Sequence, residues 1–448
     1  MSVSGPIVLI LGPAVAAVMV WLLGRWPRLA AAAGVVLAWG LALWLRLLPD
    51  GIEPVLIYGR SLTLTPGIQT LFILLLAGLG ILFLLSLLWP QGRYFVPASL
   101  AALSPMAAAL MIRPLILSAL FWLMAAICLG VVIHSDHAGR TQGAWRYMLL
   151  MFLAVLLLLA GGWMADTEQT VLQEMAAQLM GAAFLILLAG FPFHIWVQPV
   201  LSSARNLALV WVLGLMQIVL IVFIYDWLAA YPWMQTALRF RMLIQWSSGL
   251  TAVTAGGLAL TAPSLRRLLG SLLLLDMSFS LALLLVPAAS GWETAVLLPL
   301  LRSISLLLVM AGWQSLPMTA QDDNWQGLAR RRPLAALALG YGLISLLGLP
   351  LAVGFSGRWA AVVGVAAAAD VAAWLPVCLL LAMGGGIYGV WRRLAPLLMR
   401  RETAVTDDQP IGMQIGLLAG LVIGVLVAVT PLASSFVQRL AFWWLRVG

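Results

Sequence analysis

The stretch LLGSLLLLDMSFSLALLLV, residues 268–286, decides the fold class because it is a long apolar run. Asp276 is its single ionisable side chain. About 20 predominantly apolar residues suffice for an α-helix to cross the hydrocarbon of a bilayer. Similar runs recur throughout the 448 residues, of which 64% are hydrophobic and 9% charged. Soluble domains are roughly 25% charged and disordered chains have low hydrophobicity, so this composition excludes both classes. We therefore predict an all-α polytopic membrane protein.

Fourteen apolar runs predict about 14 transmembrane helices. They are residues 6–23, 29–48, 68–89, 95–112, 115–133, 145–162, 177–196, 207–227, 242–260, 268–286, 293–313, 334–354, 366–391 and 412–429, with an ambiguous boundary around 354–369. The connections between them average about a dozen residues, given about 20 residues per span, which is too short for a soluble catalytic domain.

The basic residues predict the orientation of the chain in the membrane. All 24 are arginine, and the chain has no lysine. Loops after odd-numbered runs hold fifteen arginines and loops after even-numbered runs hold five. Because cytoplasmic loops are enriched in basic residues, we expect both termini in the periplasm of a bacterial inner membrane. The net charge of +9 is attributed to this bias rather than to binding of nucleic acid.

Charged residues within the runs are candidates for function because a charge in hydrocarbon is costly. Asp276 is the sharpest case, and Arg302 lies in the next run, 293–313. Two interpretations stay open: a neutralising Asp276–Arg302 ion pair, or a proton-handling role for Asp276. Asp226 is interpreted as an interfacial aspartate near a helix end. Glu293 is interpreted as a helix cap, since a carboxylate suits the exposed amides of a helix start.

Two segments predict helices that break within the membrane. In the stretch GFPFHIW, residues 190–196, Pro192 removes a helical hydrogen bond, and His194 is favoured as a hydrogen-bonded structural histidine over a proton carrier. The second break combines helix-breaking residues with a neighbouring arginine, namely Gly348, Pro350, Gly354, Gly357 and Arg358. Broken helices at membrane depth occur against protein or a water-filled cavity, so this cluster is the second functional pointer.

The remaining reactive residues predict no cofactor. Two cysteines and three histidines cannot build a disulfide framework, a zinc ribbon or a haem ladder. The pair His134 and His137 has a spacing that could hold a metal, but such short polar loops are common by chance, and no metal is predicted. The chain also has no nucleotide motif and no catalytic centre of its own.

Three shorter segments carry local predictions. The β-prone stretch 55–64, followed by the turn at Thr65-Pro66-Gly67, indicates a short external hairpin. The polar stretch 163–175 suits a membrane interface. At the C-terminus, Phe442-Trp443-Trp444 with Arg446 suits an interfacial anchor.

Four separated motifs point to one family. Residues 192–196, Pro-Phe-His-Ile-Trp, fit the pattern Pro-Phe-His-x-Trp, and the serine-rich helix 271–285 has Asp276-Met277 in place of His-Met. Residues 348–358 are similar to Gly-Ile-Pro-Pro-x-x-Gly-Phe-x-Gly-Lys, and 330–333, Arg-Arg-Arg-Pro, fits an arginine-rich helix entry. Together, across roughly residues 95–391, they resemble the antiporter-like subunits of respiratory complex I, membrane hydrogenases and multisubunit cation/proton antiporters, most closely subunit N of complex I.

The resemblance implies two inverted five-helix repeats, at residues 95–228 and 242–391. Residues 1–94 would form three N-terminal helices, and 412–448 a last helix with its anchor. An odd number of helices per repeat inverts the second copy, which agrees with the predicted orientation. The family moves protons along buried glutamate, lysine and histidine side chains, driven by redox chemistry in another subunit.

At the relay positions that the resemblance implies, this chain departs from the family. The glutamate would fall at Trp122 or its neighbour, and the two central lysines near Leu187 and Gln217. The histidine becomes Asp276 and the last lysine becomes Arg358. A buried lysine can lose its proton, whereas arginine effectively cannot, so Arg358 is expected to act as a fixed charge or gate.

Three functions remain open from the sequence. The first is a transport subunit that conducts protons or another ion through Asp276, His194 and water. The second, favoured for the first repeat, is a scaffold subunit that has lost its relay and holds neighbouring membrane subunits and lipids. The third is a free-standing secondary transporter. In the first two, any electron transfer occurs in a partner subunit, and the parent complex is not identified.

Overall fold

The computed structural model describes residues 5–49, 54–134, 141–167, 169–316, 327–399 and 411–429. These residues are overwhelmingly helical and form two compact units. The first unit holds the described residues up to Leu188 together with Ile195–Leu243. The second holds Ala189–His194 and the described residues from Ile244 onward. The anchor predicted at 442–446 and the loop residue His137 lie outside the described residues.

The described part of the first unit contains ten α-helices and the start of an eleventh. They are α1 (Gly5–Leu22), α2 (Pro27–Leu47), α3 (Pro66–Leu88), α4 (Phe95–Met111), α5 (Ser118–Ile133), α6 (Gln142–Ala165), α7 (Thr170–Leu187), α8 (Val197–Ser203), α9 (Asn206–Val210) and α10 (Met216–Ala230). A π-helical turn, Trp211–Leu215, joins α9 to α10. Such turns leave the α-helical hydrogen-bond pattern locally irregular and are frequent at functional sites.

The second unit contains the rest of the eleventh helix and the helices that follow it. They are α11 (Leu238–Thr261), α12 (Leu265–Leu283), α13 (Ala288–Gln314), α14 (Leu328–Arg331), α15 (Pro333–Leu347), α16 (Phe355–Ala367), α17 (Trp374–Leu398) and α18 (Ile411–Val429). Residues 268–283 of the apolar stretch 268–286 lie in α12, which is buried along nearly its whole length, Asp276 included.

Nine helical segments of the described chain are long and apolar enough to cross a membrane. They are Gly5–Leu22, Pro27–Leu47, Pro66–Leu88, Leu115–Ile133, Gln142–Ala165, Thr170–Leu187, Asn206–Ala230, Ala288–Gln314 and Trp374–Leu397. Shorter apolar helices accompany them at Phe95–Met111, Pro333–Leu347, Phe355–Ala367 and Met413–Ala428. The all-α, multi-pass membrane class is confirmed. The count of 14 spans is not confirmed, and the inverted repeats stay a prediction.

A small antiparallel sheet lies in the first unit. The turn predicted at Thr65-Pro66-Gly67 is instead the start of α3, with Thr65 as its N-cap. Strands β1 (Val55–Ile57) and β2 (Arg60–Leu62) form a hairpin within the predicted β-prone stretch 55–64. Tyr58 and Gly59 turn it, with φ of 49° and 74°, the left-handed geometry that two-residue hairpin turns favour. A third strand, β3 (Ile112–Arg113), pairs with β2 and was not anticipated.

The predicted break at Pro192 makes the helix in the run 177–196 shorter than expected. The run 177–196 was expected as one helix, but α7 ends at Leu187. Ala189 has a φ of 52°, which an α-helix does not accommodate, and Pro192 offers no N–H to continue the hydrogen-bond ladder. The chain then forms a 3-10 turn at Phe193–Trp196.

The second break divides the run 334–354 and the ambiguous segment after it. Helix α15 ends at Leu347, where Gly348 takes a φ of 71° as a left-handed cap. The following residues form a separate 13-residue helix, α16, rather than the beginning of the run 366–391. That run is instead represented by α17, which begins at Trp374.

The interpretation of Glu293 as a cap was wrong. Helix α13 begins at Ala288, immediately after Pro287, so Glu293 lies in its second turn. Proline has a fixed backbone conformation suited to the edge of a helix, and this local constraint places the start earlier than the apolar pattern indicated.

Candidate functional site

A buried cluster of three charged side chains lies in the second unit. Asp276 comes from the middle of α12, Arg302 from α13 and Arg358 from the first turn of α16. Oδ2 of Asp276 lies 2.6 Å from Nε of Arg302, and Nη2 of Arg358 donates a hydrogen bond to Oδ1 of Asp276. The side chains are 1%, 0% and 4% exposed, respectively. We call these three residues the charged triad.

The triad carries a formal net charge of +1, because two guanidinium groups share one carboxylate. Arginine keeps its proton in proteins, so neither cation can become neutral. Protonation of Asp276 would therefore raise the formal charge of the triad to +2 and leave two buried cations without an anionic partner in the triad. The ion pair between Asp276 and Arg302 that the sequence raised is present, and Arg358 joins it as a third member.

The broken helix between α15 and α16 positions Arg358. Nη1 of Arg358 donates to the carbonyl oxygen of Ser345 at 3.1 Å, and the Gly354 N–H donates to Oγ of Ser345 at 3.0 Å. A Cβ on Gly348 would lie 2.5 Å from Cδ of Arg358, and one on Gly354 would overlap the Ser345 carbonyl oxygen. The glycines of the predicted break thus allow the close backbone approach that aims Arg358 at Asp276.

Serine hydroxyls surround the triad. Nη2 of Arg302 lies 3.5 Å from Oγ of Ser280, at the limit of a hydrogen bond, and the hydroxyls of Ser305 and Ser345 share one at 2.6 Å. Nη1 of Arg302 and Nε of Arg358 are buried without a hydrogen-bond partner in the described chain. The Nε of Arg302, although close to Asp276, is not aligned for a hydrogen bond, so that contact is an ion pair by distance.

His194 is the second residue of the 3-10 turn Phe193–Trp196. Its ring stacks on Phe191 with centroids 5.8 Å apart and planes at 18°. The backbone of Phe191 is held by Thr251, whose Oγ1 accepts its N–H at 2.8 Å, and by Ser247, whose hydroxyl donates to its carbonyl at 2.6 Å. Nδ1 of His194 is buried without a hydrogen-bond partner in the described residues. No ion pair or hydrogen bond within the described chain joins His194 to the triad.

The first unit has apolar or amide side chains at the three relay positions that the resemblance implies. Trp122 is buried and stacks on Phe223, with ring centroids 4.8 Å apart. Leu187, the last residue of α7, is fully buried. Gln217 is 1% exposed, and its Nε2 donates to the carbonyl oxygen of Val212 in the π-helical turn at 3.4 Å. None of these side chains can carry a proton between sites.

The sequence did not anticipate an ion pair between Arg113 and Asp226 in the first unit. Nη2 of Arg113 lies 3.2 Å from Oδ1 of Asp226, with side chains 41% and 8% exposed. Asp226 was predicted to lie at the membrane interface, and in the structure its side chain is buried against Arg113. The signal was present, because Arg113 follows the fourth run and Asp226 lies at the end of the eighth, so both are on one predicted side of the membrane.

Exposed polar contacts occur at helix ends in the first unit. Nε of Arg239 lies 3.0 Å from Oε2 of Glu174, with both side chains about half exposed. The Tyr231 hydroxyl donates to Oδ1 of Asp166 at 3.2 Å. Burial, with the nearby charge of Asp166, raises the pKa of Tyr231 to about 12, so the phenol stays protonated at neutral pH.

Comparison with solved structures defines the class of fold. A chain of the membrane-bound sulfane sulfur reductase, an archaeal respiratory membrane complex, superposes with a TM-score of 0.84 at 16% identity, covering 98% of this chain and 97% of that one. A chain of the Mrp complex from Dietzia gives 0.81 at 16% identity, covering 97% and 52%. A chain of respiratory complex I from Thermus thermophilus gives 0.73 at 20% identity, covering 95% and 98%. The chain has the fold of the antiporter-like membrane subunits, which confirms the resemblance.

Its sequence relatives are NADH-quinone oxidoreductase subunits N. That of Cereibacter sphaeroides is 26% identical over 409 residues, covering 86% of this chain and 85% of that protein. Subunit N 2 of Solidesulfovibrio magneticus is 29% identical over 183 residues, and subunit N of Chromohalobacter salexigens is 25% identical over 273. These two matches span 38% and 55% of the relatives' own lengths. No family model matches the chain.

Proposed function

We propose that this chain is an integral membrane subunit of a multisubunit complex related to complex I-type proton-translocating assemblies. Its partners are other membrane subunits, and its setting is a bacterial inner membrane with both termini in the periplasm. Within that complex the first unit acts as a scaffold, and any ion conduction is confined to a modified path in the second unit. The observation that carries this proposal is the absence of ionisable side chains at Trp122, Leu187 and Gln217 in the first unit.

Packing supports a scaffold role for the first unit. A proton relay needs ionisable or water-linked groups at each step, and a change in charge at one step must influence the next. Trp122 stacks on Phe223, and Leu187 is sealed from solvent. Gln217 is tied to the backbone of the π-helical turn. These contacts stabilise the helix bundle but offer no group that gains or loses a proton at neutral pH.

The charged triad supports only a modified conduction in the second unit. A fixed positive charge at membrane depth repels other cations, as the arginines that exclude protons and cations from some pores do. Arg302 and Arg358 are both fixed charges in this sense. Asp276 is the one member that can bind a proton, and its buried carboxylate is the observation that favours a second candidate: proton translocation through Asp276, His194 and water.

Deletion of the chain tests the scaffold role. The parent complex, isolated from membranes of a deletion strain and resolved by native electrophoresis, should fall into smaller assemblies. A triple variant, Trp122→Phe with Leu187→Met and Gln217→Leu, should assemble and retain its redox-driven proton uptake. A complex that assembles normally without the chain would contradict the scaffold role, and loss of uptake in an assembled triple variant would place a relay in the first unit.

The variant Asp276→Asn separates the two candidates in the second unit. Proton uptake by the reconstituted complex is measured against Asp226→Asn, which removes a buried carboxylate from the first unit instead. A specific fall in uptake with Asp276→Asn, in complexes that assemble equally, would establish conduction through the second unit. Unchanged uptake and coupling would reject it and leave the scaffold role alone.

A further inference from the structure

A basic pocket of about 360 Å³ lies at one end of the first unit, where α1 ends, α2 begins and α3 gives way to α4. Arg28, Arg93 and Arg205 line it, and the described residues around it include no acidic side chain. Nη1 of Arg205 donates to the carbonyl oxygen of Pro90 at 2.7 Å, which fixes that cation at the pocket wall. Arg28 and Arg93 are exposed. Three cations without a local acid select an anion.

An apolar groove of about 590 Å³ runs between α1, α4 and α5 of the same unit. Small side chains such as Ala14 and Ala101 leave the space between these helices, and Met124 forms part of its wall. The lining on α4 extends from its N-cap, Tyr94, to Pro105, eleven residue steps that span about 16 Å at 1.5 Å per residue. The groove therefore runs along α4 from Tyr94, away from the basic pocket.

Arg93 connects the two cavities. The guanidinium carbon of Arg93, in the basic pocket, lies 4.5 Å from the ring centroid of Tyr94, which lines the groove. Trp21 lines the groove on α1, and Trp26 is exposed in the turn that follows. Exposed tryptophans are typical of the level at which lipid headgroups meet hydrocarbon. Cationic and apolar surfaces thus meet at the depth where a phospholipid changes from phosphate to acyl chain.

We propose that these cavities form a binding site for one anionic phospholipid. Its phosphate lies among Arg28, Arg93 and Arg205, and one acyl chain lies in the groove along α4. A free phosphate ion would use the arginines and leave the groove unexplained, whereas an uncharged lipid would use the groove and leave the arginines unexplained. Basic pockets between transmembrane helices are known recognition sites for anionic headgroups, and this site adds a matched acyl groove.

Native mass spectrometry of the purified, delipidated full chain tests the site. Phosphatidylglycerol is titrated against phosphatidylcholine, and inorganic phosphate is the third probe. The variant Arg28→Gln with Arg93→Gln should weaken phosphatidylglycerol binding roughly thirtyfold, because each surface cation near an anionic lipid contributes about five- to sixfold. The control variant Arg46→Gln with Arg60→Gln removes two exposed arginines outside the pocket and should bind as the wild type does.

A second variant tests the groove without altering charge. Ala101→Leu fills the groove and should weaken phosphatidylglycerol binding, while Ala32→Leu, on an exposed face of α2, should not. Equal binding of the two lipids, or a pocket variant that binds phosphatidylglycerol like the wild type, would overturn the proposal. Displacement of phosphatidylglycerol by millimolar phosphate, with Ala101→Leu without effect, would assign the pocket to a free anion and equally overturn it.

Discussion

The two units handle buried charge in different ways. In the first, Arg113 and Asp226 form a balanced pair, and the arginine side chain remains 41% exposed. In the second, the charged triad has a net charge of +1, and none of its side chains is more than 4% exposed. Arg113 lies in strand β3 and Asp226 lies four residues before the end of α10, whereas Asp276 lies in the middle of α12.

The pair of Arg113 and Asp226 is a structural ion pair, whereas the charged triad has an excess charge that the surrounding fold must stabilise. A balanced pair whose arginine is 41% exposed keeps part of its hydration, although Asp226 is buried. An unbalanced triad away from solvent carries a desolvation cost that its own contacts must offset. The backbone break at Gly348 and Gly354 lets Arg358 reach Asp276 and makes those contacts possible. The second unit therefore retains a specific charge geometry that the first unit lacks.

The largest effect is expected from Asp276→Asn. The substitution leaves Arg302 and Arg358 buried without their carboxylate, and removal of one partner from a buried ion cluster costs about 3–5 kcal/mol. We expect this loss in the free energy of unfolding, measured by denaturant titration of the purified chain in detergent. A loss below about 1 kcal/mol, the range of an exposed ion pair, would show that the triad is hydrated and would remove the contrast between the units.

Arg358→Lys tests whether a fixed charge is what the second unit needs. Lysine keeps the cation but cannot bond Asp276 and the Ser345 carbonyl together in the planar geometry of arginine, so about 1.5–3 kcal/mol of stability should be lost. Lysine can also release its proton when buried. Proton uptake by the reconstituted complex should therefore rise if Arg358 blocks conduction. Unchanged uptake in a stable variant would argue that the positive charge is not the barrier.

The sequence predicted the residues of the triad better than the contacts between them. Asp276 and Arg302 were recognised because each interrupts an apolar run, and adjacent runs pack as neighbouring helices. Arg358 was recognised as part of the broken helix, but its contact with Asp276 was not, because 82 residues and several helices separate them. Local hydrophobicity places a charge within a span, whereas the partner depends on how distant helices pack.

Backbone breaks were predicted better than helix ends. Pro192 and Gly348 marked the correct regions because proline lacks an N–H and glycine tolerates a positive φ. The end of α7 at Leu187 depends on the positive φ of Ala189, a residue with no intrinsic preference for that conformation. Tertiary packing, absent from the local pattern, decides such positions. Strand β3 was missed for the same reason, since two residues become a strand only through pairing with β2.

Gly354→Ala is expected to have the next largest effect. Its Cβ would overlap the backbone carbonyl of Ser345, which cannot rotate away, so the break must shift and about 1–3 kcal/mol should be lost. Gly364→Ala, inside the helix α16 that Gly354 precedes, meets nothing within 4 Å and should gain about 0.5–1 kcal/mol from helix propensity. Opposite signs for the two alanines in thermal unfolding would locate the constraint at the break. Similar losses would instead indicate that α16 tolerates no added methyl group.

The smallest effects are expected from two substitutions in the first unit, Asp226→Asn and Glu174→Gln. Asparagine retains an oxygen that can accept from Arg113, and the guanidinium is 41% exposed, so solvent replaces much of the lost attraction. We expect a loss of about 1 kcal/mol in the free energy of unfolding, which rising salt should reduce. Glu174→Gln, at a pair whose side chains are both about half exposed, should fall below that value. If Asp226→Asn instead matched Asp276→Asn, the pair with Arg113 would be as dependent on its carboxylate as the triad is. The two units would then differ in the position of their buried charge, but not in the free energy of unfolding that is lost when its carboxylate is removed.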